Sequence, residues 1–423
     1  MAIDINIILD LLIEECEDAL RKNDMDSVID YIEKKIMIVE ERTEIYRYLY
    51  SKIPEIIFYM SRIPEWFLYN CDEITEIKIP SNVKTIGTGA FADCQNLKSV
   101  IISNSVKEIE GDAFYGCNKL VSIEVVPNNK VYDSRENSNA IIETASNKLI
   151  VGCQNNIPNG IKIIGAKAFF KRESITNVVI PEGVEKIESG AFLGCPNLKS
   201  IVISSTVTDI DHMIVGYSKN LEKIEVDPRN EVFDSRDNSN AIIETETNTV
   251  LHACKETIIP NSVVNLGYGA FEGCYGLKQI IIPNNVTNLD GMTFCDCKDL
   301  EDVIVSAGLK CIEAFTFLDC KKLRGAAIPN TIKHIKEGAF MYCNSLKEIY
   351  IPDCLEKIDR SAFRDCTSLT RITIPDGVTS IGRSAFENCT SLAINCKSSS
   401  KQDGWDDDWN SSNCPVVWGY TGN

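Results

Sequence analysis

The chain has 423 residues, of which 25% are charged and 44% hydrophobic, a balance typical of folded, soluble proteins rather than disordered ones. Acidic side chains outnumber basic ones by 61 to 43, which gives a formal net charge of −18. This charge argues against a general binder of nucleic acid or anionic membrane, because both need clustered cations. No apolar run reaches the roughly 18 residues of a membrane-spanning helix, so no membrane span is expected.

The first 65 residues are predicted to be helical and to lie outside any repeat. Apolar residues at helical spacing are Ile3, Ile7, Ile8, Leu11, Leu12, Ala19 and Leu20. The pair Asn23-Asp24 ends this pattern, and Asp26 or Ser27 is the expected N-cap of a second helix that runs to about Lys52. We interpret residues 1–65 as a helical cap, because the ends of a stacked structure need polar covers. The alternative is a docking or effector segment for a partner.

From residue 66 onward the sequence repeats every 23 residues. The twelve aligned positions are Leu68, Phe91, Phe114, Phe169, Phe192, Val215, Phe271, Phe294, Phe317, Phe340, Phe363 and Phe386. Two wider gaps, of 55 and 56 residues, equal one repeat plus insertions of 32 and 33 residues. One repeat has too few apolar residues to close a core, so stacked repeats are predicted to bury one continuous core as a solenoid.

The regular repeat has a recognisable motif. Gly377–Cys389 reads Gly-Val-Thr-Ser-Ile-Gly-Arg-Ser-Ala-Phe-Glu-Asn-Cys, and a short strand ending in Ile-Pro precedes such segments, as at Ile351-Pro352. This pattern resembles the BspA-type leucine-rich repeat family over roughly residues 66–418. The resemblance implies an α+β solenoid with a parallel sheet on its concave face. It also implies adhesion or protein recognition, often on bacterial surfaces, and no catalytic residues or cofactors.

The two insertions, at about 127–158 and 228–260, share one sequence pattern. Residues 127–144 and 228–245 are identical at fourteen of eighteen positions, and both contain Asp-Ser-Arg. Turn-rich segments between β-prone runs predict a β-hairpin or a small meander in each. The four charged residues of the motif, as candidates for a ligand-binding lip, are Asp133, Arg135, Asp234 and Arg236. The favoured interpretation is that each Asp pairs with its Arg to support a protruding turn.

Cysteine recurs at one position of the repeat. Its members are Cys71, Cys94, Cys117, Cys195, Cys274, Cys297, Cys320, Cys343, Cys366 and Cys389, and Arg172 and Ser218 stand there in the other two repeats. We interpret this cysteine ladder as small apolar core residues. The motifs of metal sites, phosphate loops and nucleophilic catalysis are missing from the sequence, so neither a metal, a cofactor nor a catalytic residue is expected.

The remaining parts are the solenoid, assigned to 66–396, and a Trp-rich cap at 397–423, where bulky rings would shield the last coil.

Strand residues between two inward positions must point out of the sheet. The large apolar residues at these outward positions are Ile101, Val179, Val202, Ile281, Ile304 and Tyr350, and their polar neighbours are Gln279, Asp302, Glu348 and Arg371. Contiguous exposed apolar surface tends to mark recognition sites, whereas β-propensity alone would also explain these residues.

The expected function is therefore a non-enzymatic module that binds an unknown protein on its concave face. The alternative is a regulatory or toxin-like protein with residues 1–65 as effector and the repeats as target selector. Asp4 and Asp10 interrupt the first apolar stretch, so no secretory signal is recognised and a cytoplasmic location is expected. A surface or secreted location, as the resemblance implies, is the alternative.

Overall fold

Most 23-residue repeats form one coil that carries two short strands separated by a turn, whereas the coil of Tyr350 has only an isolated bridge at Glu348 in place of the predicted first strand. In the coil that follows Leu277, the strand Gln279–Ile281 precedes Pro283, and the second strand is Asn288–Leu289. Proline suits the point where the first strand has ended, because it has no N–H to donate to a ladder. Equivalent strands of successive coils pair in parallel, so the first strands of neighbouring coils form one sheet and the second strands form another.

The computed structural model describes residues 16, 18–22 and 24–422. These residues belong to two compact units. Unit one comprises Met1–Thr176 and Gly183–Cys195, and unit two comprises Asn177–Glu182 and Pro196–Asn423. Each unit is a stack of coils, which confirms the predicted class of a parallel-sheet solenoid.

Unit one contains helices α1 (Met25–Lys35) and α2 (Val39–Lys52) and two 3-10 turns, Pro54–Tyr59 and Arg135–Asn137. Its strands, with β11 belonging to unit two, are β1 (Arg62–Ile63), β2 (Glu76–Lys78), β3 (Thr85–Ile86), β4 (Ser99–Ile102), β5 (Glu108–Ile109), β6 (Ser122–Val125), β7 (Tyr132–Asp133), β8 (Ala140–Glu143), β9 (Lys148–Gly152), β10 (Ile163–Ile164) and β12 (Lys186–Ile187). Strands β2, β4 and β6 form one parallel sheet, and β1, β3 and β5 form another.

Unit two contains the 3-10 turn Arg236–Asn238. Its strands are β11 (Asn177–Val179), β13 (Ser200–Ile203), β14 (Asp209–Ile210), β15 (Lys223–Val226), β16 (Phe233–Asp234), β17 (Ala241–Glu244), β18 (Thr249–Ala253), β19 (Asn265–Leu266), β20 (Gln279–Ile281), β21 (Asn288–Leu289), β22 (Asp302–Ile304), β23 (Cys311–Ile312), β24 (Gly325–Ala327), β25 (His334–Ile335), β26 (Lys357–Ile358), β27 (Arg371–Ile374), β28 (Ser380–Ile381), β29 (Ala393–Cys396) and β30 (Val416–Trp418). Its parallel sheets are β11-β13-β15, β20-β22-β24, β23-β25-β26-β28 and β27-β29-β30.

Both insertions are three-stranded meanders. In unit one, β7 pairs antiparallel with β8, and β8 pairs antiparallel with β9. Strand β9 then pairs in parallel with β10 and so returns the chain to the coil stack. In unit two, β16, β17, β18 and β19 repeat this arrangement. The structure thus takes the meander, one of the two forms that the turn-rich sequence predicts.

The aligned phenylalanines form stacks of rings in the core. Phe363 is fully buried, with its ring centroid 5.3 Å from that of Phe340 and 5.6 Å from that of Phe386. Phe91 and Phe114 stack in unit one at 5.5 Å. Since each ring covers the next, the core of one coil is completed only by its neighbours.

The N-terminal region differs from its prediction. The single second helix expected up to about Lys52 is divided into α1 and α2, and Ile36 and Ile38 between them have extended backbone. β-branched side chains lower helix propensity, and two of them bracket this break. Ala19 is buried, whereas the remaining predicted positions from Ile3 to Leu12 lie outside the described residues.

The C-terminal segment adds a further coil to the stack. Trp409 follows Phe386 by 23 residues and packs edge-on against its ring, with the centroids 5.9 Å apart. Strand β30 pairs in parallel with β29, and Trp405 donates from Nε1 to the carbonyl of Val378 at 2.9 Å. The coils therefore continue beyond the twelve aligned repeats, because tryptophan takes the place of phenylalanine at position 409.

Candidate functional site

The outer face of the sheet β20-β22-β24 carries exposed apolar side chains. Along β20 the residues Gln279, Ile280 and Ile281 are exposed, buried and exposed, and β22 shows the same alternation. The central residue of each strand enters the core, so its two neighbours must point away from it. In β20 and β22 the residues predicted to point outward, Ile281 and Ile304, are exposed.

The apolar row consists of Ile281, Ile304, Ala327 and Tyr350. Ile281, Ile304 and Ala327 are direct partners in the parallel register of β20, β22 and β24. Ile281 is 63% exposed, Ile304 is 52% exposed and Tyr350 is 61% exposed. Parallel strands lie about 4.8 Å apart, so these paired side chains form a continuous exposed strip.

A cavity of about 640 Å³ opens on the same face at Tyr350. Its lining includes Gly325, Glu348, Tyr350, Arg371 and Lys397. Gly325 presents no side chain in β24, which leaves room beside Tyr350. Glu348 and Arg371 meet in a parallel backbone bridge, so both side chains start from adjacent positions on this face. We call this space the Tyr350 cavity.

Charged groups of both signs line the Tyr350 cavity. Lys397 Nζ lies 2.7 Å from Asp353 Oδ1, and this hydrogen bond is the main cause that raises the pKa of Lys397. Both side chains are well exposed, so the pair contributes little to stability. An exposed aromatic ring beside an arginine and paired charges is the composition of a protein-binding surface, where Tyr and Arg are common anchors.

Three predicted candidates lie away from the apolar row. Ile101 in unit one is only partly exposed, and its register partners are the charged residues Lys78 and Glu124. In unit two, Val179 pairs with Val202 on a separate sheet, and Val179 is 64% exposed. The structure therefore divides the predicted stripe into a lone isoleucine, a valine pair and the apolar row.

The polar candidates stand where the alternation predicts. Gln279 and Asp302 are exposed register partners on β20 and β22, next to Ile281 and Ile304. Asp353 and Lys397 also line the Tyr350 cavity, although the sequence reasoning did not select them. Lys397 directly follows β29, whereas Asp353 follows a segment without a strand, so the strand pattern alone does not select both.

The charged residues of the insertions are engaged with each other. Arg135 Nη2 lies 2.7 Å from Asp133 Oδ2, and Arg135 Nη1 donates to Asn147 Oδ1 at 2.9 Å. In the second insertion, Arg236 binds Asp234 and Asn248 in the same way. These hydrogen bonds to the neighbouring aspartate raise the pKa of both arginines. The geometry matches a supported turn and leaves the guanidinium groups little capacity for a ligand.

The cysteine ladder is buried and its thiols are protonated at neutral pH. Burial raises the pKa of Cys195 and of Cys389 to about 12. Metal binding and nucleophilic attack require the thiolate, so these protonated thiols are poor metal ligands and poor nucleophiles.

Within residues 16, 18–22 and 24–422, no three His, Cys, Asp or Glu side chains are grouped so that they could hold a metal ion. No helix in that described part is long and apolar enough to cross a bilayer.

The sequence matches a known family model over most of its length. The model is described as "BspA type Leucine rich repeat region", and its copies match residues 34–142, 153–247, 242–369 and 333–403. Among curated proteins, none matches the chain significantly.

Solved bacterial structures are similar to the chain. A leucine-rich repeat protein from Eubacterium ventriosum has 21% identity and a TM-score of 0.52, over 77% of this chain and 88% of that one. A leucine rich cell surface protein from Faecalibacterium prausnitzii has 23% identity and a TM-score of 0.48, over 86% and 94%. The pneumococcal vaccine antigen PcpA has 15% identity and a TM-score of 0.46, over 85% and 84%. The first of these likenesses supports the solenoid fold.

Proposed function

Because the chain belongs to the BspA-type leucine-rich repeat family, whose members are commonly involved in binding and adhesion, we propose that it is a non-enzymatic module that binds a protein partner. The binding surface is the outer sheet face of unit two. The single observation that carries this proposal is the apolar row, which ends at the Tyr350 cavity. Exposed apolar surface next to a polar rim is the usual arrangement of a recognition site.

The chemistry of the surface favours a protein partner. Ile281 and Ile304 offer apolar area, whereas Glu348 and Arg371 supply charges of both signs at the edge. A nucleic acid would need clustered cations, and the chain carries a net charge of −18.

The rival function gives residues 1–65 the role of effector, and the packing of the helices supports a cap instead. Ile32 of α1 and Tyr46 of α2 are buried in the same core cluster as Phe91. The ring of Tyr46 lies 5.6 Å from the ring of Phe67, at the start of the coils. An effector that acts by itself would not need to share the core of the first repeats.

The proposal is tested by site-specific photocrosslinking in the native cell. Benzoylphenylalanine replaces Tyr350 in one variant and Thr379 in the control, an exposed residue of the same unit that precedes β28, outside the sheet β20-β22-β24. We expect one defined crosslinked protein at position 350, identified by mass spectrometry, and none at position 379. The same crosslinks at both positions, or a defined product at position 379 alone, would contradict the proposal.

A further inference from the structure

A second cavity, of about 570 Å³, follows a row of equivalent residues in unit two. The residues that follow four consecutive aligned phenylalanines line it, and these residues are Glu272, Cys295, Leu318 and Met341. Cys295, Leu318 and Met341 are uncharged, so Glu272 is the one charged residue of the four. We call this space the Glu272 cavity.

Glu272 is a buried carboxylate with only one satisfied oxygen. Glu272 is 6% exposed, and the hydroxyl of Tyr217 donates a hydrogen bond to Glu272 Oε1 at 2.8 Å. Oε2 is buried and has no hydrogen-bond partner in the part of the chain that the structure describes. Burial, and then the nearby charge of Asp296, raise the pKa of Glu272 against the opposing effect of the Tyr217 hydrogen bond. An unsatisfied buried acceptor of this kind is costly unless something binds it.

The other two carboxylates of the Glu272 cavity already have cations. Lys298 Nζ lies 3.1 Å from Asp296 Oδ1, and Lys321 Nζ lies 3.3 Å from Asp319 Oδ1. Among the described residues, no Lys, Arg or His forms an ion pair with Glu272. The position for one positive charge is therefore open at Glu272 alone.

We propose that the Glu272 cavity binds the ammonium group of a lysine side chain from a partner protein. A metal ion is a poor occupant, because the described carboxylates and thiol are not grouped as a metal site. An arginine is less suited, because its planar guanidinium binds both oxygens of a carboxylate and Tyr217 holds one of them. An ammonium group is a point donor and needs only Oε2.

The walls of the cavity suit the stem of a lysine. Leu318, Met292 and Met341 provide apolar contacts, and Tyr342 at the rim is 39% exposed. Adjacent coils are about 4.8 Å apart, so a four-carbon stem covers about one coil before the head group meets Glu272. Lysine side chains bind in this manner, with the stem on apolar surface and the charge on a polar group.

The test is an NMR titration of the whole protein with three capped tripeptides, acetyl-Gly-X-Gly-amide, where X is lysine, arginine or norleucine. We expect saturable binding of the lysine peptide, at least tenfold weaker binding of the norleucine peptide, and an intermediate affinity for arginine. Glu272→Gln should weaken the lysine peptide at least tenfold, which is about 1.4 kcal/mol. The control Glu256→Gln removes the same charge from an exposed position of unit two and should change the affinity less than twofold.

A second measurement uses the unmodified protein and remains valid if Glu272→Gln fails to fold. The site requires ionised Glu272, so the affinity for the lysine peptide should fall as the pH decreases through the raised pKa of Glu272. The other titratable and charged groups at this cavity are Tyr217, Cys295, Asp296, Lys298, Asp319 and Lys321. A pH dependence that persists in a folded Glu272→Gln variant would assign it to Asp296 or Asp319. Equal affinities for lysine and norleucine, absence of any binding, or an unchanged affinity in Glu272→Gln would each overturn the proposal.

Discussion

The thiol of Cys343 donates a 3.1 Å hydrogen bond to the backbone carbonyl of Phe317, in the preceding coil. The same bond joins other members of the cysteine ladder to the preceding aligned phenylalanine, at Cys117, Cys195, Cys297, Cys320, Cys366 and Cys389. The carbonyl of Phe317 also accepts the backbone N–H of Cys320 at 3.2 Å, so the thiol adds a second donor to it while the small apolar side chain fills the core. The cysteine ladder therefore has a structural role, which explains why cysteine recurs at this position of the repeat.

Thiol titration checks the structural role of the ladder. The native protein should react slowly with a thiol reagent at its buried cysteines, and the two partly exposed ones, Cys311 and Cys354, should account for the fast phase. The double variant Cys311→Ser/Cys354→Ser should remove that fast phase. Under denaturant, nearly all 18 cysteines should react. Five or more disulfides in protein from the native host would contradict this account.

The raised thiol pKa values predict a loss of stability in alkali. Cys195 has a folded pKa of about 12, raised chiefly by burial, whereas an unfolded thiol ionises near pH 8.5. The unfolded state then binds fewer protons, so the stabilising contribution is complete below about pH 8.5 and declines as the pH rises toward 12. The unfolding free energy from urea titrations between pH 8 and 11 should decline less steeply in Cys195→Ala, by up to about 1.4 kcal/mol per pH unit. Parallel slopes in the two proteins would show that this thiol ionises equally in both states.

Truncation of a stacked ring tests the shared core. Phe363→Ala removes a fully buried ring that stacks on Phe340 and Phe386, and it should cost about 3–5 kcal/mol of unfolding free energy. Thermal and urea unfolding measure this change. The control Phe58→Ala removes a ring that is 53% exposed and should cost far less. Equal effects of the two substitutions would mean that the core face is misassigned.

Arg172 stands in place of a ladder cysteine and is predicted to hold the first insertion against its coils. Its guanidinium donates to the carbonyls of Cys117 at 2.7 Å, Phe114 at 3.1 Å and Gly152 at 3.1 Å. Arg172→Met removes three buried hydrogen bonds and should destabilise unit one by about 3–5 kcal/mol. Arg360→Met, at an exposed arginine paired with Glu337, should cost about 1 kcal/mol or less.

The result for Arg172 is read from urea unfolding of the full chain. A destabilisation in Arg172→Met no larger than in Arg360→Met would mean that water or a relaxed backbone satisfies the three carbonyls.

Much of the fold follows from one spacing. The 23-residue period predicted one continuous core of stacked repeats, and the rings of aligned phenylalanines stack in it because a regular coil returns each side chain to the same place. The further coil at Trp409 could not be counted from phenylalanine, since tryptophan fills the same position. The break at Ile36–Ile38 was also missed, because a helical pattern continues on both sides of it.

The site was less accessible to sequence reasoning than the fold. Alternation within a strand predicted that Ile304 and Tyr350 point outward, and both are exposed. Alternation does not reveal which strands are neighbours across an insertion, so the lone Ile101 was grouped with the apolar row. The repeat does not single out Glu272, since its equivalents Cys295, Leu318 and Met341 are uncharged but Arg364 and Glu387 are charged, and its missing partner depends on the three-dimensional packing.

The central claim is that the apolar row and the Tyr350 cavity bind the partner. The most direct measurement is the dissociation constant of the purified partner, once crosslinking has identified it, for the double variant Ile304→Asp/Tyr350→Asp. The control Thr287→Asp/Thr379→Asp introduces the same two charges at exposed residues of unit two that precede β21 and β28, outside the sheet β20-β22-β24. Unchanged thermal unfolding of both variants is required for the comparison. We predict at least tenfold weaker binding for the first variant, about 1.4 kcal/mol, and less than twofold for the control. Full affinity in a folded Ile304→Asp/Tyr350→Asp variant would contradict the claim.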